Sequence, residues 1–428
     1  MMDKMIYNEY LDILKEELVP AMGCTEPIAI AFVAATARKI LGEMPERIVV
    51  RCSGNIIKNT MCVTVPNTGD LIGIEASAII GVIGGDSSQK LEVISKITKE
   101  EIARTKVLLG TEFCKVVHLE SNLLLHVIIE LFSADHAVLV ELTESHTHIN
   151  KITKNGEILY NETENNKYLG QFTNRDNLSV ANIYEFANSF EISDLKELFD
   201  MQINYNMAMA NEGLSGKYGL GIGKIILNAH MNGSLDRKIK AYSAAGSEAR
   251  MSGSALPVVT NSGSGNQGMA SSIPVIIYAR ENGLTQEQLY RGLAFANLMT
   301  IYQKTFIGRL SAFCGAVSAS CASGSAMTYL ANGTLDQIKM TITNTLANIS
   351  GIVCDGAKSS CGAKIASSLD GAMMAHHLAM ENKSYSPRTG IIKNDIEKTI
   401  AAVGRLGRYG MHSTDKEILD IMLDVDRA

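Results

Sequence analysis

Three of the eight cysteines lie beside glycines or small residues at predicted helix boundaries, where a thiolate could bind metal. Cys314 precedes Gly315, and Cys354 and Cys361 lie at the two ends of the segment Cys-Asp-Gly-Ala-Lys-Ser-Ser-Cys. Flexible backbone and nearby N–H donors suit thiolates that ligate an iron–sulfur cluster. Three thiolates would leave one iron of a [4Fe-4S] cluster open as a Lewis acid. The spacing C-x39-C-x6-C is not that of a ferredoxin, so spacing alone leaves this hypothesis open.

Cys24 directly precedes a helix that the sequence predicts to begin with Thr25, Glu26 and Pro27. Thr25 can cap such a helix, Glu26 favours its positive end, and Pro27 suits its first turn. The helix dipole and the free N–H groups are expected to lower the pKa of the Cys24 thiol. The thiolate could act as a base, a nucleophile or a fourth cluster ligand that departs when substrate binds. A cysteine that is merely buried at a helix entry is the alternative.

Packing explains the remaining cysteines and the histidine pairs better than chemistry does. A cysteine in an apolar strand, or in a helix of Ala and Ser, acts as a small buried hydrophobe. The cysteines of this kind are Cys52, Cys62, Cys114 and Cys321. His146 and His148 share one face of a predicted strand, and without an evident carboxylate partner an edge-strand surface is favoured over a metal site. His376 and His377 are expected to pack within a helix of Met and Ala.

The segment from Asn261 to Gly268 offers successive backbone N–H groups at a predicted helix start. Such a nest suits a carboxylate or a phosphate, and a flexible interhelical turn is the alternative. Its candidate substrate-binding residues are Asn261, Ser262, Ser264, Asn266 and Gln267. A second candidate group precedes an apolar segment and could equally be a solvated loop: Asn55, Lys58 and Asn59.

The elements that must position these residues fall into three stretches. Residues 1–45 predict two helices, the second beginning beside Cys24. Residues 46–175 combine short β-branched segments with helical stretches near 74–84 and 87–109, which predicts an α+β domain with a mostly antiparallel sheet. The predicted strands are 47–52, 61–65, 115–119, 123–132 and 137–142. Asn155-Gly156 predicts a two-residue hairpin between 149–153 and 157–160, and 161–177 is a polar linker.

Residues 176–428 predict an all-α catalytic domain whose polar helix ends meet at one site. Periodic segments are separated by Gly, Ser and Asn clusters and lie near 178–190, 193–212, 235–250, 267–282, 285–304, 315–331, 334–350 and 364–381. The fold class is therefore α+β, with N-terminal helices packed on the catalytic domain and a sheet domain before the cluster-binding region. The glycine-rich segment 213–223 follows no strand and is not a dinucleotide fingerprint.

Composition narrows the function further. The 428 residues are 46% hydrophobic and 20% charged, a balance that favours buried helices or an oligomer, and a homodimer fits it. A formal charge of −6 without a basic face argues against nucleic-acid binding. No apolar run reaches the length of a membrane span. The N-terminus lacks the features of a signal peptide, so we expect a cytoplasmic protein with reduced cysteines.

Four motifs in order resemble those of the iron–sulfur L-cysteine desulfidases, a family related to the α-chain of iron–sulfur L-serine dehydratases. They are Met-Gly-Cys-Thr-Glu-Pro (22–27), Asn-Ser-Gly-Ser-Gly-Asn-Gln-Gly (261–268), Phe-Cys-Gly (313–315) and Cys-Asp-Gly-Ala-Lys-Ser-Ser-Cys (354–361). The resemblance covers essentially the whole chain. The ordered set is specific, whereas each motif alone would be weak.

The resemblance implies that L-cysteine and water are converted into pyruvate, ammonia and hydrogen sulfide by an oxygen-sensitive enzyme. It implies a [4Fe-4S] cluster held by Cys314, Cys354 and Cys361, with Cys24 in the active site and no pyridoxal phosphate. The first motif and the six-residue gap between Cys354 and Cys361 match the desulfidase branch. We expect Cys24 to remove the Cα proton of a small amino acid whose carboxylate rests in the 261–268 loop.

Three other functions remain open. An L-serine dehydratase would use the same chemistry on a substrate that differs from L-cysteine by one atom. A pyridoxal-phosphate β-eliminase would need alternating strands and helices around Lys238 or Lys240, in a region that predicts helices. An iron–sulfur sensor or electron carrier normally has all its irons ligated and needs no substrate nest.

Overall fold

The computed structural model describes residues 2–162, 173–229 and 234–424. Its buried apolar side chains form two large cores, one against a six-stranded sheet and one inside a helical region. The α+β class, with a sheet domain followed by a helical region, is therefore confirmed. The domain boundaries at residues 45 and 175 stay a prediction.

The two predicted N-terminal helices are present and pack on different cores. Helix α1 (Lys4–Glu17) buries Tyr10 and Leu14 in the helical region. Helix α2 (Thr25–Leu41) is buried on almost every side and packs against the sheet and helix α4 (Gly73–Gly84). The segment that joins α1 to α2 therefore crosses from one core to the other.

That crossing segment contains strand β1 (Pro20–Met22), which pairs antiparallel with β8 (Pro257–Val259) of the helical region. Gly23 then turns the chain into α2 with a φ of +53°, and a Cβ there would lie 1.9 Å from Pro66 Cγ. Only glycine avoids both the backbone strain and the clash. The turn places Cys24 at the start of α2, close to the loop that follows β8.

The sheet has the strand order β3-β2-β4-β5-β6-β7 and is antiparallel except for the β2–β3 pair. Its strands are β2 (Arg47–Cys52), β3 (Cys114–His118), β4 (His126–Phe132), β5 (Ala137–Thr143), β6 (Ile149–Lys154) and β7 (Glu157–Asn161). Burial alternates along β4 and β5, as expected for a sheet with one covered face. The predicted hairpin is confirmed, since Asn155 and Gly156 both have positive φ between β6 and β7.

Two predictions in the sheet domain are wrong, and a third lies mostly outside the described residues. Residues 61–65 form no strand. They follow helix α3 (Gly54–Thr60) in a turn, and a second turn at 66–69 comes directly after them. Their β pairing is limited to a single bridge between Thr64 and Ile72. The helix predicted over 87–109 is replaced by a 3-10 turn (Ser87–Glu92), in which Lys90 has a non-helical backbone, and by α5 (Lys99–Leu109). Residues 93–98 between them are not helical. Of the predicted linker 161–177, residues 163–172 are outside the described range.

All eight predicted helical segments of the C-terminal region are present. They are α6 (Val180–Ser189), α7 (Ile192–Leu214), α9 (Leu235–Met251), α10 (Gly265–Glu281), α11 (Gln286–Ile307), α12 (Gly315–Leu330), α13 (Leu335–Ile349) and α14 (Cys361–Met380). The pattern missed α8 (Ile222–Asn228), α15 (Ile396–Arg405), a π-helical turn (Leu406–Gly410) and α16 (His412–Met422). Helix α12 lies at the centre of the helical region and packs against α10, α11, α13 and α14. None of the described helices is long and apolar enough to cross a membrane.

The C-terminal helix α16 returns to the sheet side of the molecule and packs on α3. Lys58 of α3 is almost completely buried and forms an ion pair with Asp415 of α16. Leu419 packs against Gly54 at the start of α3. A buried charge that loses its partner is strongly destabilising, so this ion pair should hold α16 against α3.

We predict that Asp415→Ala lowers the free energy of unfolding by about 3–5 kcal/mol, because it leaves the Lys58 ammonium buried and unpaired. Denaturant titration of the variant measures this loss. Lys416→Ala, at an exposed position of the same helix, should change little. Equal losses in the two variants would show that the ion pair has no special role.

Candidate active site

Four cysteines from distant parts of the sequence line one cavity of about 110 Å³. They are Cys24, Cys314, Cys354 and Cys361. The cavity lies where the start of α2 meets the N-terminal ends of α10, α12 and α14. Four of the predicted loop residues, Ser262, Ser264, Asn266 and Gln267, line it as well.

A short backbone pairing holds two of these thiols side by side. The N–H of Cys314 donates to the carbonyl oxygen of Ile352 at 3.1 Å, and the N–H of Cys354 donates to Ala312 at 2.6 Å. Cys314 is also the N-cap residue of α12. The third thiol follows the loop 355–360, since Cys361 is the first residue of α14. The starts of α12 and α14 and this pair of backbone hydrogen bonds therefore fix the positions of all three cysteines.

The three thiols influence one another because they share a buried space. Burial and the neighbouring Cys354 and Cys361 thiols raise the pKa of Cys314 to about 12. Burial and Cys354 raise the pKa of Cys361 to about 11. Two thiolates would repel each other here, so a ligand with positive charge would favour deprotonation of all three.

The cavity also contains cationic groups beside the thiols. Burial lowers the pKa of Lys304 to about 8, although the Cys354 and Cys314 thiols beside it act in the opposite direction. Lys364 is ion-paired with Asp355 and donates to the carbonyl of Val353 at 2.9 Å. Positive charge near the thiols would help to stabilise a bound group with net negative charge.

The donors that line the cavity are of the type that binds an iron–sulfur cluster. Within residues 2–162, 173–229 and 234–424, no three His, Cys, Asp or Glu side chains are close enough to hold one ion. A four-iron cluster is wider than one ion and takes thiolates that are further apart. Three cysteines line one cavity and have cations beside them, which is a donor set of this kind.

Cys24 lies beside Glu26 rather than beside free N–H groups, which corrects one prediction. Its thiol donates to Glu26 Oε2 at 3.2 Å and forms no cap to the helix. Burial raises the pKa of Cys24 well above its usual value, and the Glu26 carboxylate adds to the rise. The predicted lowering by the helix start is therefore wrong, because local charge and burial outweigh the dipole.

Glu26 is a buried carboxylate with several partners. Its oxygens accept hydrogen bonds from Thr25, Cys24 and Asn59, the last at 3.3 Å. Burial alone would raise the pKa of Glu26, but His146 and the Cys24 thiol outweigh burial and hold it at about 2. Glu26 is therefore ionised in the folded protein at neutral pH.

His146 is a site residue that the sequence pattern missed. An exposed edge strand was expected there, yet its side chain is 11% exposed and its Nε2 lies 3.9 Å from Glu26 Oε1. The residue belongs to the turn between β5 and β6, and it lines both the cavity and an adjoining one. No local signal could have shown this, since Glu26 is 120 residues away in sequence. His148 is also buried, with Nε2 2.7 Å from Glu162.

The candidate substrate-binding residues divide into those that line the cavity and those that support it. Asn261 is completely buried and donates to Asn297 of α11, so it anchors the loop. Asn59 lines the cavity beside Glu26, whereas Lys58 and Asn55 lie on α3 outside its lining. Arg250 and Lys304 line the cavity and were not predicted, because only the folding of α9 and α11 brings them there.

The other sequence candidates lie elsewhere. Lys238 and Lys240 form ion pairs with Glu281 and Asp370 on the surface of the helical region. His376 is buried against Thr328, as expected for packing, and His377 is exposed beside Asp236. Cys52 and Cys321 are buried as predicted, Cys114 is half-buried and Cys62 is exposed in a turn.

A second, larger cavity of about 630 Å³ adjoins the first. The two share Thr25, His146, Gly263 and Arg309. Arg309 is ion-paired with Glu17 at 2.8 Å. The larger cavity is bounded by the 3-10 turn, the β5–β6 turn and the end of α1.

Comparison with known protein families identifies one that matches most of this chain. The family model described as serine dehydratase alpha chain matches residues 88–420. The chain belongs to the serine dehydratase alpha-chain family. This confirms the predicted relationship and indicates a lyase-type enzyme from an iron–sulfur-related family.

Proteins of similar sequence align with this chain over almost its full length. A UPF0597 protein of Lachnoclostridium phytofermentans is 48% identical over 98% of this chain and 100% of its own length. A UPF0597 protein of Treponema denticola is 45% identical, with 99% of both chains covered. One from Phocaeicola vulgatus is 36% identical over 97% of both. These family names state no activity.

We predict that Glu26 contributes stability above its usual pKa of 4.5 and that this contribution is lost as the pH falls toward about 2. The difference in free energy of unfolding between the wild type and Glu26→Gln should therefore be largest near neutral pH and shrink below pH 4.5. Denaturant titrations at several pH values measure it. Glu92→Gln, at an exposed position, is the control. A difference that is constant with pH would contradict the prediction.

Proposed function

We propose that this protein is an iron–sulfur-dependent L-cysteine desulfidase, which converts L-cysteine and water into pyruvate, ammonia and hydrogen sulfide. One observation carries the proposal: the three candidate cluster ligands line the same cavity as Cys24 and the 261–268 loop. A cluster that only carried electrons would not need a carboxylate nest or a buried acid–base pair beside it.

Cys314, Cys354 and Cys361 would hold the [4Fe-4S] cluster. When bound, it supplies an open Lewis-acid iron that makes the substrate sulfur a better leaving group. Lys304 stabilises the negative charge of the thiolates from inside the cavity. The largely buried lining limits the access of water, which strengthens each of these charge interactions.

The substrate carboxylate rests at the start of α10. Ser262 and Gly263 adopt positive φ there, which turns the chain before Ser264 caps the helix. Backbone N–H groups at this helix start carry partial positive charge and suit an anion. Ser262, Ser264 and Asn266 provide side-chain donors on the same wall of the cavity. The carboxylate is thereby oriented with its Cα toward Cys24.

Cys24 removes the Cα proton with the help of Glu26. Its resting thiol already donates to Glu26 Oε2, so the carboxylate can relay that proton toward His146 and leave a thiolate. The thiolate then takes the Cα proton as the C–S bond breaks, and sulfide departs with the bond's electron pair. The product aminoacrylate tautomerises and hydrolyses in water without further help. His146, beside Glu26, can stabilise or receive the displaced proton.

The second candidate function is an iron–sulfur L-serine dehydratase. Membership of the serine dehydratase alpha-chain family favours it. The motifs 22–27 and 354–361 favour the desulfidase. The two reactions share every step above and differ only in whether sulfide or hydroxide leaves the substrate.

Anaerobic assays on iron-loaded protein distinguish these functions. Sulfide release from L-cysteine that scales with iron content, and exceeds pyruvate release from L-serine, supports the desulfidase. The reverse preference supports the dehydratase. Exposure to air should abolish either activity. Activity that scales with added pyridoxal phosphate, or no activity with a full iron content, would contradict the proposal.

We predict that Cys24→Ala lowers kcat by at least about 100-fold, the usual contribution of a general base, while the cluster absorbance remains. Cys354→Ala should instead lose the cluster itself. Cys62→Ala is the matched control, because this thiol is exposed and outside the cavity, and it should keep both cluster and activity. Normal turnover by Cys24→Ala would show that another group is the base.

A further inference from the structure

Arg250, near the end of α9, carries a guanidinium group into the interior of the cavity. The residue is 2% exposed. Its Nη1 donates to Asn266 Oδ1 at 3.2 Å, and its Nε is buried without a hydrogen-bond partner. Within the part of the chain that the structure describes, Arg250 forms no ion pair. Burying a cation in this way is costly unless an anion binds to it.

The surroundings of Arg250 add to the need for an anion. A Cβ on Gly265 would lie 2.4 Å from Arg250 Nε, so the guanidinium lies directly against the start of α10. That helix is 17 residues long, and its N-terminus carries partial positive charge. Two positive features thus meet on one wall of the cavity. Gln267, whose Oε1 is also buried without a partner, lines the same wall.

The other cations of the cavity have anionic or thiol neighbours. Arg309 is ion-paired with Glu17, and Lys304 lies beside the Cys314 and Cys354 thiols. Arg250 has no carboxylate partner among the described residues, and it lies beside the Cys24 thiol, against which the adjacent Met251 packs. Burial raises the pKa of that thiol, and Arg250 acts in the opposite direction. An anion bound to Arg250 would therefore place the atoms attached to it within reach of Cys24.

We propose that Arg250 binds the α-carboxylate of the amino-acid substrate and makes the site select free amino acids over their amides. The inference rests on the proposed function, because it assigns the charged partner of that substrate. The guanidinium supplies the fork of N–H donors that matches a carboxylate, and the α10 start supplies backbone donors beside it. This residue is separate from the loop donors that the sequence pattern indicates.

The first experiment changes the substrate and the arginine together. Wild-type kcat/KM for L-cysteine should exceed that for L-cysteinamide by about 30-fold or more, the usual effect of removing one partner of a buried charge pair. In Arg250→Met this preference should disappear, and Arg250→Lys should restore part of it. Lys238→Met, which removes a surface cation from the same helix, should behave as the wild type. Equal use of acid and amide by the wild type would overturn the proposal even if a variant failed to fold.

The second experiment needs no turnover. Ligand-observed NMR of pyruvate with cluster-free protein should show binding to the wild type and to Lys238→Met, and loss of binding in Arg250→Met. Suppose that neither L-cysteine nor L-serine is a substrate, but pyruvate binds to the wild type and not to Arg250→Met. The proposed function then fails and the carboxylate site stands. If L-cysteine is turned over and Arg250→Met keeps both the acid preference and pyruvate binding, the assignment of Arg250 is wrong and the function stands.

Discussion

The backbone pairing between residues 312–314 and 352–354 is the interaction on which the site depends. Its two hydrogen bonds bring Cys314 and Cys354 together although 39 residues separate them. Cys361 then follows at the start of α14, and Cys24 enters from the other core through the β1–β8 pair. The cavity thus forms only when the sheet side and the helical side are joined.

Burial determines much of the protonation state of the side chains where the two sides meet. Buried thiols and a buried carboxylate favour their neutral forms, yet Glu26 stays ionised because His146 and Cys24 contact it. Arg250 and Lys304 add positive charge in the same small space. The cavity therefore combines an ionised carboxylate, protonated thiols and cationic side chains within one small space.

The sequence predicted the fold class and the eight helical segments between residues 178 and 381 correctly, because periodicity and glycine-flanked helix starts are local signals. The functional roles of the four cysteines stay a prediction. The sequence missed the roles of His146, Arg250 and Lys304, which reach the cavity only through tertiary packing. It also misjudged the pKa of Cys24, since the dipole of α2 is a local feature whereas burial and the Glu26 side-chain geometry are not. Residues 61–65 resembled a strand in composition but lacked a neighbouring strand with which to pair.

The central claim is that three cysteines hold a cluster with one open iron facing the substrate. Mössbauer spectroscopy of protein reconstituted with iron-57 tests it most directly, before and after addition of L-cysteine under anaerobic conditions. The account predicts that one iron in four changes its isomer shift and quadrupole splitting when L-cysteine binds, while the other three stay the same. Spectra in which no iron responds to L-cysteine, or in which no four-iron cluster forms, would contradict it.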